Sequence, residues 1–73
     1  MRITYDADVD ALYIRLIEDA SEVTTRRLSE DVAIDYAPNG EVVGIEVLSA
    51  SEHAFRPGDI PTVTLENLQA VSS

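Results

Sequence analysis

The chain has no cysteine. Neither a disulfide nor a thiolate-bound metal is available to support it. It has no lysine, and five arginines stand against fourteen acidic residues for a net charge of −9. A nucleic-acid binder needs clustered positive charge on the phosphate backbone, so this composition argues against that class. It favours solubility and, where the partner is a macromolecule, a basic protein. Long apolar runs are missing as well. None approaches the ~20 residues of a membrane span, and the opening MRITYDAD lacks a signal-peptide pattern. The expectation is a cytoplasmic protein without membrane association. With 73 residues the chain reads as one domain, residues 1–73, and a domain of this length buries only ~60% of its unfolded surface. Self-association is the common remedy for so small a core, and a homodimer is the expected state.

What is present is dominated by Val32 to Leu48, VAIDYAPNGEVVGIEVL. Val32, Ile34 and Tyr36 alternate with Ala33 and Asp35. Val43, Ile45 and Val47 alternate with Val42, Gly44 and Glu46. Period-two alternation on both sides of Ala37-Pro38-Asn39-Gly40 specifies a β-hairpin. For both apolar sets to reach one face, opposed residue numbers must sum to an odd value. A four-residue loop from Ala37 to Gly40 satisfies this, with Pro38 early in the turn and Gly40 in the left-handed position at its end. The register that follows sets Ile34 against Val43 and Val32 against Ile45. On the opposite face it sets Gly44 against Ala33, a small pair over which a ring or a backbone can approach closely.

Upstream, Arg2 to Tyr5 and Ala11 to Ile17 form a hairpin around the acidic turn Asp6 to Asp10. Tyr5 falls opposite Leu12, and Ile3 opposite Ile14. Val23 to Leu28 alternates weakly and suits a sheet edge. Sequential strands usually neighbour one another, so the chain order suggests a meander. After Leu48 the period changes. Ser49 and Glu52 have the capping-box spacing, which predicts a short helix through about Phe55, stopped by Pro57-Gly58. Beyond it, a helical segment over Leu65 to Val71 and a strand over Thr62 to Leu65 are both open. The fold class is α+β: an antiparallel β-meander of four to five strands over residues 1–48, with a short helical or irregular C-terminal region over 49–73.

YDADVDALYIRL at Tyr5 to Leu16 and DYAPNGEVVGIEVLSAS at Asp35 to Ser51 resemble the small prokaryotic family known as domain of unknown function 2283. The match is carried by Tyr5, Asp6, Asp10, Leu12, Tyr13, Ile14, Leu16, Asp35, Gly40, Gly44, Ile45, Glu46, Leu48, Ala50 and Ser51. Ala37 replaces the second acid of that family's turn. The resemblance spans about Arg2 to Ser51. It implies a compact β-meander with a C-terminal helix and no established activity. Some members are encoded beside small toxin-like proteins, which implies an antitoxin-like partner role.

Three constellations invite a chemical reading. Asp6-x-Asp8-x-Asp10 has the opening spacing of a calcium loop, but Ala11 stands where such a loop needs glycine and Ile17 where it needs a bidentate glutamate. Turn chemistry is the expected role of Asp6 and Asp10, alongside Pro38, Gly40 and Gly44. Neither a metal nor a cofactor is expected. Tyr13, Arg15, Asp35 and Glu46 share the non-core face, where paired carboxylates near an arginine make either a shallow acid–base site or a cross-strand ion-pair network. Without a positioned nucleophile the network is the better reading, and no enzymatic activity is expected. His53 and Ser51 are two apart on a short helix and do not face each other. Arg26-Arg27 reads as charge that protects an edge strand.

Overall fold

A computed structural model of the chain describes residues 1–56, 58–59 and 62–67. Five strands form one antiparallel sheet: β1 (Arg2–Asp6), β2 (Ala11–Arg15), β3 (Thr24–Arg27), β4 (Val32–Tyr36) and β5 (Val42–Leu48), followed by the one-turn helix α1 (Ala50–His53). This is the expected α+β class. No helix among the described residues is long and apolar enough to cross a membrane.

The strand order is β1-β2-β5-β4-β3. Three consecutive pairs are neighbours, as in a meander, but β2 pairs with β5 and not with β3. A sequential order would have set β3 in the middle of the sheet. Its sequence, TTRR, is exposed throughout, and placing two arginines between apolar strands would strip them of water. The edge character of β3 therefore prevails over sequence proximity. The strongly apolar β5 takes the centre, between β2 and β4.

The first hairpin has the register that alternation dictates, with Ile3 opposite Ile14 and Tyr5 opposite Leu12. The central hairpin differs from the expected one by a slide of two residues. Ile34 faces Ile45, Val32 faces Val47, and Gly44 faces Asp35, not Ala33. The turn explains the slide. Ala37 and Glu41 close the loop through Ala37 N–H to Glu41 O at 2.8 Å, and Gly40 N–H donates to Ala37 O at 2.9 Å. Three residues, not four, thus lie between the closing pair. A register shift between Asp35 and Tyr36 then adds one residue to β5, so that Val43 lies between the partners of Tyr36 and Asp35. This β-bulge restores the odd sum, and the faces sort as alternation requires. The bulged carbonyl of Val43 accepts the N–H groups of Leu16 (2.7 Å) and Ile17 (3.2 Å) as β2 ends. Leu16 lies beyond the strand and is 41% exposed.

One sheet face carries Ile3, Tyr5, Leu12, Ile14, Val32, Ile34, Ile45 and Val47; the other carries Thr4, Asp6, Tyr13, Arg15, Ala33, Asp35, Gly44 and Glu46. The described residues cover the apolar face thinly. Phe55 meets Tyr5 edge-on, ring centres 4.8 Å apart at 84°. Val63 and Leu65 are 62% and 59% exposed. Thr62 to Leu65 form no strand, and Leu65 and Glu66 begin no helix. Ile60 and the stretch from Leu68 to Val71 lie outside the described residues. The fully buried apolar side chains among the described residues are Ala33, Val43 and Ala50, and none belongs to the eight of the apolar face.

Gly40 has φ 90°, in the region where a Cβ is disfavoured. The space around it is open, with nothing within 4 Å of an added Cβ, so the cost of substitution is conformational alone. Gly40→Val should destabilise the fold by about 1–3 kcal/mol, while Gly40→Asn, which tolerates this region, should cost much less. Thermal unfolding that finds both substitutions neutral would contradict the turn assignment.

Candidate functional site

The polar face is built outward from Gly44. Tyr13 sits on β2 and leans across the neighbouring strand, so that a methyl group at Gly44 would overlap its hydroxyl and ring carbons. The absent side chain is what admits the ring. From there the Tyr13 hydroxyl donates to Asp35 Oδ2 on β4 at 2.8 Å, and the Thr25 hydroxyl on β3 donates to Asp35 Oδ1. Asp35 thus gathers hydroxyls from two strands, and the chain of contacts runs across β2, β5, β4 and β3. Burial, and then the bond to Asp35, raise the Tyr13 pKa above its ordinary value.

The other two residues of the expected constellation do not join this pair. Arg15 is turned to the β2–β3 connection, where its Nη2 donates to the carbonyls of Glu18 (3.2 Å) and Ala20 (3.3 Å). Its Nε is buried 3.6 Å from Glu18 Oε2, without a hydrogen bond. Glu46 faces Tyr13 and Ala33 across the strands and makes no hydrogen bond or ion pair among the described residues. The Tyr13 and Thr25 hydroxyls are both engaged by Asp35. As a constellation it is a cross-strand network.

A second cluster forms where the β1–β2 turn meets α1. Asp10, in left-handed backbone conformation (φ 53°), accepts the Tyr5 hydroxyl (2.7 Å) on Oδ1 and the Ser51 hydroxyl (2.7 Å) on Oδ2, and the Ser51 N–H reaches both oxygens (3.1 and 3.3 Å). Its backbone carbonyl takes the N–H of Ala50 at 2.9 Å. The helix is therefore capped by a residue 41 positions away. This corrects the capping box. Ser49 holds the N-cap position, but with φ 52° and no side-chain cap bond, because a cap needs an extended backbone to aim its oxygen at the helix. Asp6 has the turn role expected of it, accepting the Asp8 N–H at 3.0 Å. The hydrogen bonds from Tyr5 and then Ser51 hold the Asp10 pKa below its ordinary value, and the bond to Asp10 raises that of Tyr5.

A third group was not singled out by sequence. His53 Nε2 lies 2.9 Å from Asp31 Oδ2, and with Glu52 the three offer ligand atoms within 4.8 Å of one another. The groups are exposed or half-exposed, and the His53–Asp31 contact ties α1 to the turn before β4. Among the described residues, these could hold a divalent cation.

Residues 2–51 match the family described as protein of unknown function (DUF2283). The chain belongs to this family. The matched stretch holds all five strands and both clusters that Tyr13 and Asp10 organise, so the hydrogen-bond framework of this DUF2283 chain lies within its family region. No curated protein and no solved structure matches the chain.

Two tests follow from these clusters. Gly44→Ala must push the Tyr13 ring off its strand and break the bond to Asp35. It should cost about 1–3 kcal/mol, and Tyr13→Phe in the same background should recover little of it. A thermal melt unchanged by Gly44→Ala would show that the ring is not held there. Asp10→Asn tests the cap. Because the folded-state pKa of Asp10 is lowered, its charge stabilises the fold above the ordinary carboxylate pKa, and that contribution is lost as pH falls toward the lowered value. At pH 7 Asp10→Asn should melt several degrees below the parent, on the order of 5 °C, and the gap should close in acid. A gap that stays constant from pH 7 to pH 3 would rule out a role for the charge.

Proposed function

We propose that this DUF2283 chain is a non-enzymatic, cytoplasmic interaction domain that works as a homodimer and meets a basic protein partner through its acidic surface. The observation that carries the reading is the apolar sheet face. Eight large side chains line it, none of them fully buried. The acids of the strands, Asp6, Asp35 and Glu46, all point to the opposite face. A sheet needs a second layer on its apolar side. A chain that keeps acid off that side while carrying −9 overall has a surface suited to burial against another protein. A catalytic reading finds less support, since Tyr13 and Thr25 both commit their hydroxyls to Asp35. An antitoxin-like role follows if the basic partner is a toxin held inactive by the complex.

Two chains of −9 repel each other, and salt screens that repulsion beyond ~8–10 Å. Sedimentation equilibrium at tens of micromolar should therefore show a dimer that tightens as salt rises, and a clean monomer at moderate salt would sink the self-association. Affinity purification from the native host should recover a protein of high pI. Only acidic or neutral proteins in that fraction would remove the basic partner.

A further inference from the structure

The two edges of the sheet are not equivalent. β3 is short, polar and doubly arginine-bearing, the kind of edge that resists pairing. β1 has no such protection. Its five residues, RITYD, are all exposed. It pairs with β2 on one side only, and no backbone hydrogen bond outside the sheet reaches it among the described residues. It contains no proline or lysine and shows no register shift.

We propose that β1 is the dimer interface: Arg2–Asp6 pairs antiparallel with the same segment of a second copy, about a two-fold axis at Thr4, joining two five-stranded sheets into one. The proposal rests on the self-association argued above and specifies its geometry. Directly opposed residues of antiparallel strands point to the same face, so a symmetric pairing that keeps apolar beside apolar must be centred on a residue and not between two. Centred on Thr4, it uses every residue of the strand. Arg2 then faces Asp6 of the second copy, twice, on the polar side. Ile3 faces Tyr5 of the second copy, twice, on the apolar side. Both are favourable cross-strand pairs, opposite charges and aromatic against β-branched. The same operation on β3 fails. Centred on Thr25 it sets Thr24 against Arg26; centred on Arg26 it sets that arginine against itself.

The groups needed are available. Arg2 Nη2 rests 3.0 Å from its own Glu18 on the open surface, a weak pair, and a guanidinium has donors for two carboxylates. Asp6 uses Oδ1 for the Asp8 N–H, leaving Oδ2. Ile3 and Tyr5 are 37% and 38% exposed and line a cleft of about 410 Å³ with Leu12, Ile14, Phe55 and Val63. That cleft adjoins the seam, so pairing the edges joins the two apolar faces. A five-residue edge is small against the ~800 Å² per partner of a standard interface, and the dimer is accordingly of micromolar strength.

Thr4→Cys tests the axis directly, because the chain has no other thiol. Opposed Cα atoms in an antiparallel pair lie ~4.5–5.5 Å apart, within the span of a disulfide. Under mild oxidation at tens of micromolar, Thr4→Cys should convert mostly to a covalent dimer, while Thr24→Cys on the opposite edge should form no covalent crosslink. Arg2→Glu, which opposes like charges twice, should weaken the dimer at least about tenfold. Hydrogen exchange on the unmodified chain decides the matter independently of whether the variants fold. The outward amides of β1, and not those of β3, should slow as concentration passes through the dimer range. A dimer whose β1 amides do not respond, or one that crosslinks through Thr24→Cys, overturns the edge while keeping self-association. A monomer by sedimentation overturns both.

Discussion

The pairing of β2 with β5 is the constraint on which the rest of the molecule depends. It joins the N-terminal hairpin to the central one and fixes where each meets the other. With Ala11 opposite Leu48, the β1–β2 turn stands beside the start of α1, and Asp10 can cap a helix 41 residues further along the chain. With Arg15 opposite Gly44, Tyr13 lies one step from a position without a side chain, and its ring crosses to reach Asp35. Both hydrogen-bonded clusters are consequences of one strand register. A one-residue slip there would turn Tyr13 to the apolar face and separate Asp10 from Ser51. The clusters in turn lock the register, since each is satisfied in that alignment alone.

What was legible in the sequence was local. Alternation gave the strands, the first hairpin's register to the residue, and the sorting of acid and apolar side chains to opposite faces. The glycine of the Pro-Asn-Gly turn gave the left-handed position. Gly44 was readable as a place of close approach, although its visitor, Tyr13, comes from a strand that the chain order did not place beside it. The failures share a cause. Pairing β2 with β5 brings together residues about thirty positions apart, and nothing in either strand names the other. The bulge at Val43 reflects the fit between a three-residue turn and a sheet that must keep its faces, which alternation alone does not encode. Ser49 and Glu52 matched a local capping pattern, but the cap came from Asp10. A tertiary contact satisfied the helix N-terminus before a local one formed. The residues that carried the family resemblance include Tyr5, Asp10, Ser51, Tyr13, Gly44 and Asp35. The structure supplies the contacts that give this grouping a physical sense.

The polar face and the apolar face therefore have different states of completion. On the polar side, Tyr13, Thr25 and Asp35 bond one another, Arg15 braces the connection to β3, and the small residues Ala33 and Gly44 are sealed beneath. On the apolar side, Phe55 covers one corner, and the large side chains remain part-exposed. A chain without cysteine, and with so few fully buried side chains among its described residues, has little internal means of closing that side. This asymmetry is what supports the interaction reading proposed above. On the polar side Asp35 is spent on Tyr13 and Thr25, while the other side leaves hydrocarbon and a strand edge open among the described residues.

The edges complete the same logic. In a five-stranded open sheet two strands must be left with one neighbour each, and the sequence treats them differently. β3 is given threonine and arginine, which are soluble and mutually repulsive across a symmetry axis. β1 is given a strand whose ends carry opposite charges and whose interior alternates isoleucine, threonine and tyrosine, a pattern complementary to its own reverse. Charge placement sharpens the contrast. In a chain of −9, one of five arginines stands at the far end of β1 from Asp6, so that the proposed self-pairing would set two ion pairs at the seam against that repulsion. The net charge still repels at long range, and attraction acts only in one register. The combination disfavours indiscriminate aggregation of the free edge while permitting a single specific pairing.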